Sequence, residues 1–276
     1  MPRFKLTIEY AGTRYSGWQI QKNARTVQGE LDRAVRTVTG RKDFELYGAG
    51  RTDAGVHALG QVAHLDVAAA PPPDTLLRRV NDELPSDINV LKVERVSHRF
   101  HARHSATSRR YIYQIARRRT AFAKPFVWWV KDPLDVPRMQ RAAAAFVGLH
   151  DFASFGATDG PRDEGASTRV LVEGVAVVED GDVVLVTVEG SHFLWKMVRR
   201  VVGVLVEIGR GALDEHAVAR FLESASPVPA TLTAPPSGLF LEGVRYDEDA
   251  GGAAGRGSGV QSGPKLTPRM RRSTSL

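Results

Sequence analysis

The chain has 276 residues, 42% of them apolar and 25% charged, enough hydrophobic material for a substantial core and too much for a disordered chain or a disulfide-stapled miniature. Cysteine is absent, which excludes disulfides, thiolate zinc sites, iron–sulfur clusters and cysteine nucleophiles together. A formal charge of +7 favours a polyanionic partner, nucleic acid or an anionic surface, without choosing between them.

Taken in chain order, Phe4, Leu6, Ile8 and Tyr10 alternate with polar residues as a half-buried strand does. Val27, Leu31, Ala34, Val35 and Val38 recur at helical spacing behind Thr26, a fitting N-cap, and Gly40 closes the helix. Phe44 to Tyr47 and Gln61 to Val67 read as strands around a glycine-rich connection. Pro71-Pro72-Pro73-Asp74 opens a helix that runs to Leu84 and stops at Pro85, and Ile88 to Val96 is a further strand. The order is βαββαβ. It returns as strand Arg110 to Arg117, helix Val136 to Val147 behind Asp135, strands Val170 to Val178 and Val183 to Glu189, helix Phe193 to Ile208 ended by Gly209, and strand Gly238 to Tyr246. A short helix, Glu215 to Leu222, precedes the last strand.

This pattern predicts an α+β fold: two ferredoxin-like βαββαβ units forming a largely antiparallel sheet, with helices on one face and a central cleft. The units are residues 1–105 and 106–249, and a glycine-rich basic tail, 250–276, is expected to be disordered. No apolar block resembles a signal peptide. The richest apolar stretch, Phe193 to Ile208, carries Lys196, Arg199, Arg200 and Glu207 and is unsuited to a bilayer, so a cytoplasmic protein without membrane contact is expected.

The charge is unevenly placed. Between Arg95 and Lys131 there are ten basic residues and no acidic one, and the tail holds five more, so the remainder of the chain carries −8. Interleaved with Phe100, Tyr111 and Tyr113, this stripe suits a polyanion track beside aromatic faces on which bases stack, which turns the cleft into an expected RNA-binding one. Alanine in place of Arg117, Arg118 and Arg119 should then weaken RNA binding and flatten its salt dependence. The competing explanation is a solvated charged face.

Gly48-Ala49-Gly50 follows a strand as a dinucleotide fingerprint does, but Asp53 occupies the third glycine position, where a carboxylate would repel pyrophosphate. Neither a P-loop nor a Gly-x-Ser-x-Gly elbow occurs. His98, His101 and His104 have a ligand-like spacing, yet Arg99 and Arg103 between them oppose a cation, and no metal is expected. Trp128-Trp129 reads as packing or a loop anchor rather than a base platform. The segment Arg51-Thr52-Asp53-Ala54-Gly55-Val56-His57 gathers reactive groups among small residues. Its Asp53 is either half of a structural ion pair or turn, or a lone carboxylate positioned for chemistry on a sugar or base.

Gly50-Arg51-Thr52-Asp53-Ala54-Gly55-Val56-His57 closely resembles the active-site block of the TruA family of tRNA pseudouridine synthases. Further matching blocks are Tyr10 to Gln19, Phe100-His101-Ala102-Arg103 leading to Arg109-Arg110-Tyr111, His150-Asp151-Phe152, Met197-Val198-Arg199 and Gly238-Leu239-Phe240-Leu241. They keep family order from residue 4 to about residue 246. The resemblance implies a cofactor-free homodimer that isomerises uridine to pseudouridine in the anticodon stem-loop of tRNA, at positions 38–40 or a subset. It implies that Asp53 is the essential catalytic aspartate, that Tyr111 stacks on the target uracil, that Arg51 and Arg199 lie near the carboxylate, and that Leu239 packs in the pocket. The sequence departs from the bacterial pattern at Arg200, where asparagine is common, and at Trp195-Lys196 ahead of it. A non-catalytic tRNA-binding protein and a base-excision enzyme are the competing classes.

Overall fold

The computed structural model describes residues 1–157 and 167–247. The expected tail, 250–276, lies outside the described residues. The first half runs β1 (Arg3–Tyr10), α1 (Val27–Thr39), β2 (Phe44–Gly48), β3 (His57–Val67), α2 (Pro73–Glu83) and β4 (Ile88–Val96). The second contains β5 (Ala106–Ala116), β6 (Trp128–Trp129), α3 (Val136–Ala143), β7 (Gly148–Asp151), β8 (Arg169–Asp180), β9 (Val183–Gly190), α4 (Met197–Gly209), α5 (Ala217–Glu223), α6 (Val228–Thr231) and β10 (Leu239–Tyr246). The fold is mixed α+β around one mostly antiparallel sheet.

Local chemistry sets most of these boundaries. The Thr26 hydroxyl accepts from the Gly29 amide at 3.2 Å to cap α1, and Gly40 leaves that helix at φ 65°, a left-handed turn that costs glycine little. Asp135 caps α3 by accepting from the Arg138 amide at 2.9 Å. α2 starts on Pro73 and ends before Leu84, whose extended backbone suits the residue ahead of Pro85. β3 and β5 each begin four residues earlier than expected, at His57 and Ala106, α5 begins two residues later, at Ala217, and two further helix boundaries differ. The third helix ends at Ala143 and tightens into a 3-10 turn over Ala144–Phe146, which buries Phe146 ahead of β7. The fourth begins at Met197, because Lys196 is left-handed at φ 61° and Phe193 to Trp195 form an approach segment, with the Ala157 amide bonded to the Trp195 carbonyl. Among the described residues no helix is long and apolar enough to cross a membrane.

The strands are ordered β4-β1-β3-β10-β5-β9-β8-β7, with β2 also on β3 and β6 on β5. Every pairing is antiparallel except β10 with β3 and β6 with β5. Within the first half the order is β4-β1-β3-β2, and β10-β5-β9-β8 repeats it in the second. One apolar core lies under β1 to β4 with α1 and α2, the other under β5, β8 and β9 with α3 to α5, and Tyr111 packs against both. β10 joins the two sets of strands through only two residue pairs with β3, Phe240 with His57 and Leu241 with Ala58.

Candidate active site

That seam fixes where the 49–56 loop goes. β1 occupies one edge of β3, and the other is shared: β2 pairs with residues 63–67 and β10 with His57 and Ala58. The chain between β2 and β3 is therefore expelled from the sheet between two strands, and it turns at Asp53. The Val56 amide donates to the Asp53 carbonyl at 3.1 Å, and Gly55 takes φ +78° at the third turn position, where a type II turn calls for glycine.

The segment after β1 wraps this loop. Tyr10 and Thr52 hydroxyls are 2.8 Å apart, the Trp18 amide donates to the Thr52 carbonyl, the Gly55 amide to the Tyr15 carbonyl, and the Gly12 amide to His57 Nδ1 at 3.0 Å. With Nδ1 accepting, the His57 proton sits on Nε2, 3.0 Å from the Pro125 carbonyl, and burial lowers the ring's pKa. His57 is thus a neutral fastener between segments. The glycines permit contact too close for any side chain: a β-carbon at Gly12 would stand 1.9 Å from the Val56 carbonyl oxygen, and one at Gly17, already at φ +90°, 2.6 Å from that of Thr52. Gly12→Ala is accordingly expected to lower unfolding free energy by about 1–3 kcal/mol in chemical denaturation; an unchanged midpoint would mean the loop yields freely.

Two donors hold the Asp53 carboxylate. Trp195 Nε1 donates to Oδ1 at 2.8 Å, and Arg199 Nη1 donates to Oδ2 at 3.0 Å, the side chains of Asp53 and Arg199 being only 19% and 14% exposed. Arg199 is aimed by its Nε, which donates to the Ala234 carbonyl at 2.7 Å. The ion pair anticipated around Asp53 is therefore made with Arg199, 146 positions away, and not with the adjacent Arg51. Arg51 is exposed at the pocket wall and makes no hydrogen bond or ion pair among the described residues.

The pocket measures about 260 Å³, and its lining includes Asp53, Arg51, Tyr111, Arg199 and Leu239, so all five residues singled out by the sequence come together. Leu239 is buried at the start of β10 opposite Tyr113, and Leu241 lies opposite Tyr111. The Tyr111 ring meets Phe193 edge-on at 5.2 Å. Burial pushes its phenol up to about 12, the Asp53 carboxylate adding to the shift and Arg109 opposing it. At neutral pH Tyr111 is an un-ionised phenol.

Sequence reasoning missed three contributors. Trp195 had no role assigned, and an isolated tryptophan gives no signal of what its indole reaches. Phe193 is expected inside a helix. Arg109 reads from the sequence as one cation of the stripe, yet it is half-buried and donates to the carbonyls of Ala49, Arg103, Ala106 and Ser191 at 2.7–3.2 Å, tying together segments that border the pocket. Three further cations of the stripe are ion-paired, Arg110 with Glu242 on the neighbouring strand and, just past the end of β5, Arg117 with Glu179 and Arg118 with Asp182. Trp128 packs edge-on against Tyr113, as the packing reading expected, whereas Trp129 is exposed. Among the described residues no set of three His, Asp or Glu side chains is arranged to hold a metal ion, and His101 lies against His64 and His104.

A sequence profile of the tRNA pseudouridine synthase family matches residues 6–105 and 142–247. The chain belongs to that family, a class of isomerases acting on tRNA. Its relatives include proteins named tRNA pseudouridine synthase A from Nitrobacter winogradskyi, 43% identical over 255 residues that cover 90% of this chain and 96% of the relative, and from Halalkalibacterium halodurans, 40% identical over 242 residues covering 87% and 91%. A third, from Limosilactobacillus fermentum, is 41% identical over 256 residues covering 91% and 98%.

Proposed function

We propose that this chain isomerises uridine to pseudouridine in the anticodon stem-loop of tRNA, at positions 38–40 or a subset, with Asp53 as the essential carboxylate, no cofactor, and a homodimer in the cytoplasm as the working form. The repeated strand order supports reading residues 1–105 and 106–249 as two ferredoxin-like units, with helices on one face and the pocket as part of a central RNA-binding cleft. The observation that carries the proposal is Asp53, clamped by Trp195 and Arg199 in a pocket lined also by Tyr111 and Leu239.

In the reaction the C1′–N1 bond breaks, C1′ bonds to C5, C5 loses its proton and N1 gains one. Breaking the first bond builds positive charge on the ribose, which an ionised Asp53 stabilises, whether it then attacks C1′ or takes a sugar proton. Arg199 sets a positive charge and a donor against the carboxylate that either route uses. The freed uracil turns before it rejoins, and the flat Tyr111 ring with the Leu239 wall retains it while it does so. With its phenol at about 12, Tyr111 serves as a stacking surface rather than a base at neutral pH. A target inside a stem is first extruded, at a few kcal/mol, and phosphate contacts by exposed cations such as Arg51 offset that cost.

The deciding experiment is incubation of the purified protein with a tRNA transcript tritiated at uracil C5: tritium release without free uracil supports the proposal, and no release overturns it. Salt dependence locates the RNA track. Arg51→Ala is expected to reduce the slope of log affinity against log salt by about one. Replacing Arg117, Arg118 and Arg119 together is expected to reduce it by about one as well, not about three, because carboxylates already pair with two of these arginines. A change near three in filter binding across a salt series would mean that RNA displaces those acids.

A further inference from the structure

Two neighbouring residues at the pocket do more than close its wall. Trp195 Nε1 donates to Asp53 Oδ1 at 2.8 Å across 142 positions of sequence, and the Lys196 ammonium lies 4.1 Å from the centre of the indole ring. Lys196 adopts this place with a left-handed backbone, φ 61°, which a non-glycine residue holds only where surrounding contacts enforce it. The Trp195 carbonyl is fixed as well, by the Ala157 amide at 3.0 Å. The indole is therefore held by its backbone and over one face, with its single donor directed at the carboxylate.

We propose that Trp195 is a positioning residue for Asp53, the second arm of a two-point clamp whose first arm is Arg199. The proposal deepens the functional reading above and rests on it. One donor alone leaves a carboxylate free to rotate about the bond between Cβ and Cγ. Donors on both oxygens fix its plane, and each oxygen keeps a lone pair for the ribose. Arg199 brings charge as well as direction, whereas the indole N–H brings direction with no net charge. Reaction geometry is steeply sensitive to such placement.

The test removes only the N–H. Replacing Trp195 with β-(3-benzothienyl)alanine keeps the ring shape and the face under Lys196 but puts sulfur where nitrogen was; Trp195→Phe is made beside it. The benzothienyl variant is expected to lose about tenfold or more in single-turnover tritium release, with affinity for tRNA within about twofold of the parent. A benzothienyl variant with parental rate overturns the proposal, even if Trp195→Phe is inactive or fails to fold. The indole resonance supplies a readout independent of turnover. In a nitrogen-15 spectrum the Trp195 Nε1–H signal, assigned by its loss in Trp195→Phe, is expected at the downfield position of a hydrogen-bonded indole in the parent and upfield of it in Asp53→Ala. The same signal position in parent and Asp53→Ala overturns the clamp. Absence of tritium release from the parent instead overturns the functional reading, and the resonance still reports on the clamp.

Discussion

Asp53→Asn is expected to reduce tritium release by on the order of 10³-fold or more, with tRNA affinity within about threefold of the parent. The amide has nearly the shape of the carboxylate but neither its charge nor its second acceptor. Trp195 Nε1 and Arg199 Nη1 both require an acceptor at this position, on opposite oxygens. An asparagine oxygen satisfies one of them, and its NH₂ group faces the other. If the oxygen faces Arg199 the indole loses its partner, and in the opposite orientation the guanidinium does. The variant therefore also loses about 1–3 kcal/mol of folding free energy locally, measurable by denaturation. Undiminished tritium release from Asp53→Asn would end the case for this carboxylate, and a proportional loss of tRNA binding would recast it as a binding group.

Arg199→Lys carries the second large expectation, a fall of about 10- to 100-fold in turnover although the charge is retained, with Arg199→Ala falling further. The guanidinium does two things at once: Nε donates to the Ala234 carbonyl at 2.7 Å while Nη1 reaches Asp53 at 3.0 Å. A lysine ammonium has no fixed fork with which to span both acceptors. In Arg199→Ala the carboxylate also loses its ion-pair partner and one of its two donors. Single-turnover rates of the two variants check both statements. A lysine variant with parental rate would mean that charge alone suffices and that the bond to Ala234 is incidental.

Local chemistry explains which features were legible in the sequence. Thr26, Gly40, Asp135 and Pro85 act on neighbouring residues, and each marks its boundary where the structure has it. The start of α4 was not legible, since Phe193 and Leu194 continue the apolar pattern, while the left-handed Lys196 and the approach segment depend on contacts with Asp53 and Ala157. The loop holding Asp53 announced itself by its composition. Of its partners, Arg199 was legible only through the family resemblance and Trp195 not at all, because tertiary packing alone brings both to the loop. The basic stripe is the instructive case. A linear count finds ten cations and no acids, but strand pairing brings Arg110 near Glu242, the chain just past β5 sets Arg117 beside Glu179 of β8 and Arg118 beside Asp182 of the β8–β9 turn, and Arg109 turns inward to backbone carbonyls. Charge counted along a chain overstates the charge presented on a sheet.

The seam between β3 and β10 also carries an order in time. β10 is the last described strand, and it lies between β3 and β5, which without it have no described neighbour on those edges apart from β2 beyond the seam and β6 at the far end of β5. During synthesis from the N-terminus, the Asp53 loop, Tyr111, Trp195 and Arg199 all leave the ribosome before Leu239 and Leu241. The pocket wall that these leucines supply, and the sheet continuity that sets one half of the site against the other, are therefore synthesised after the other groups of the site. A nascent chain therefore possesses every charged and aromatic group of the site before it possesses the site.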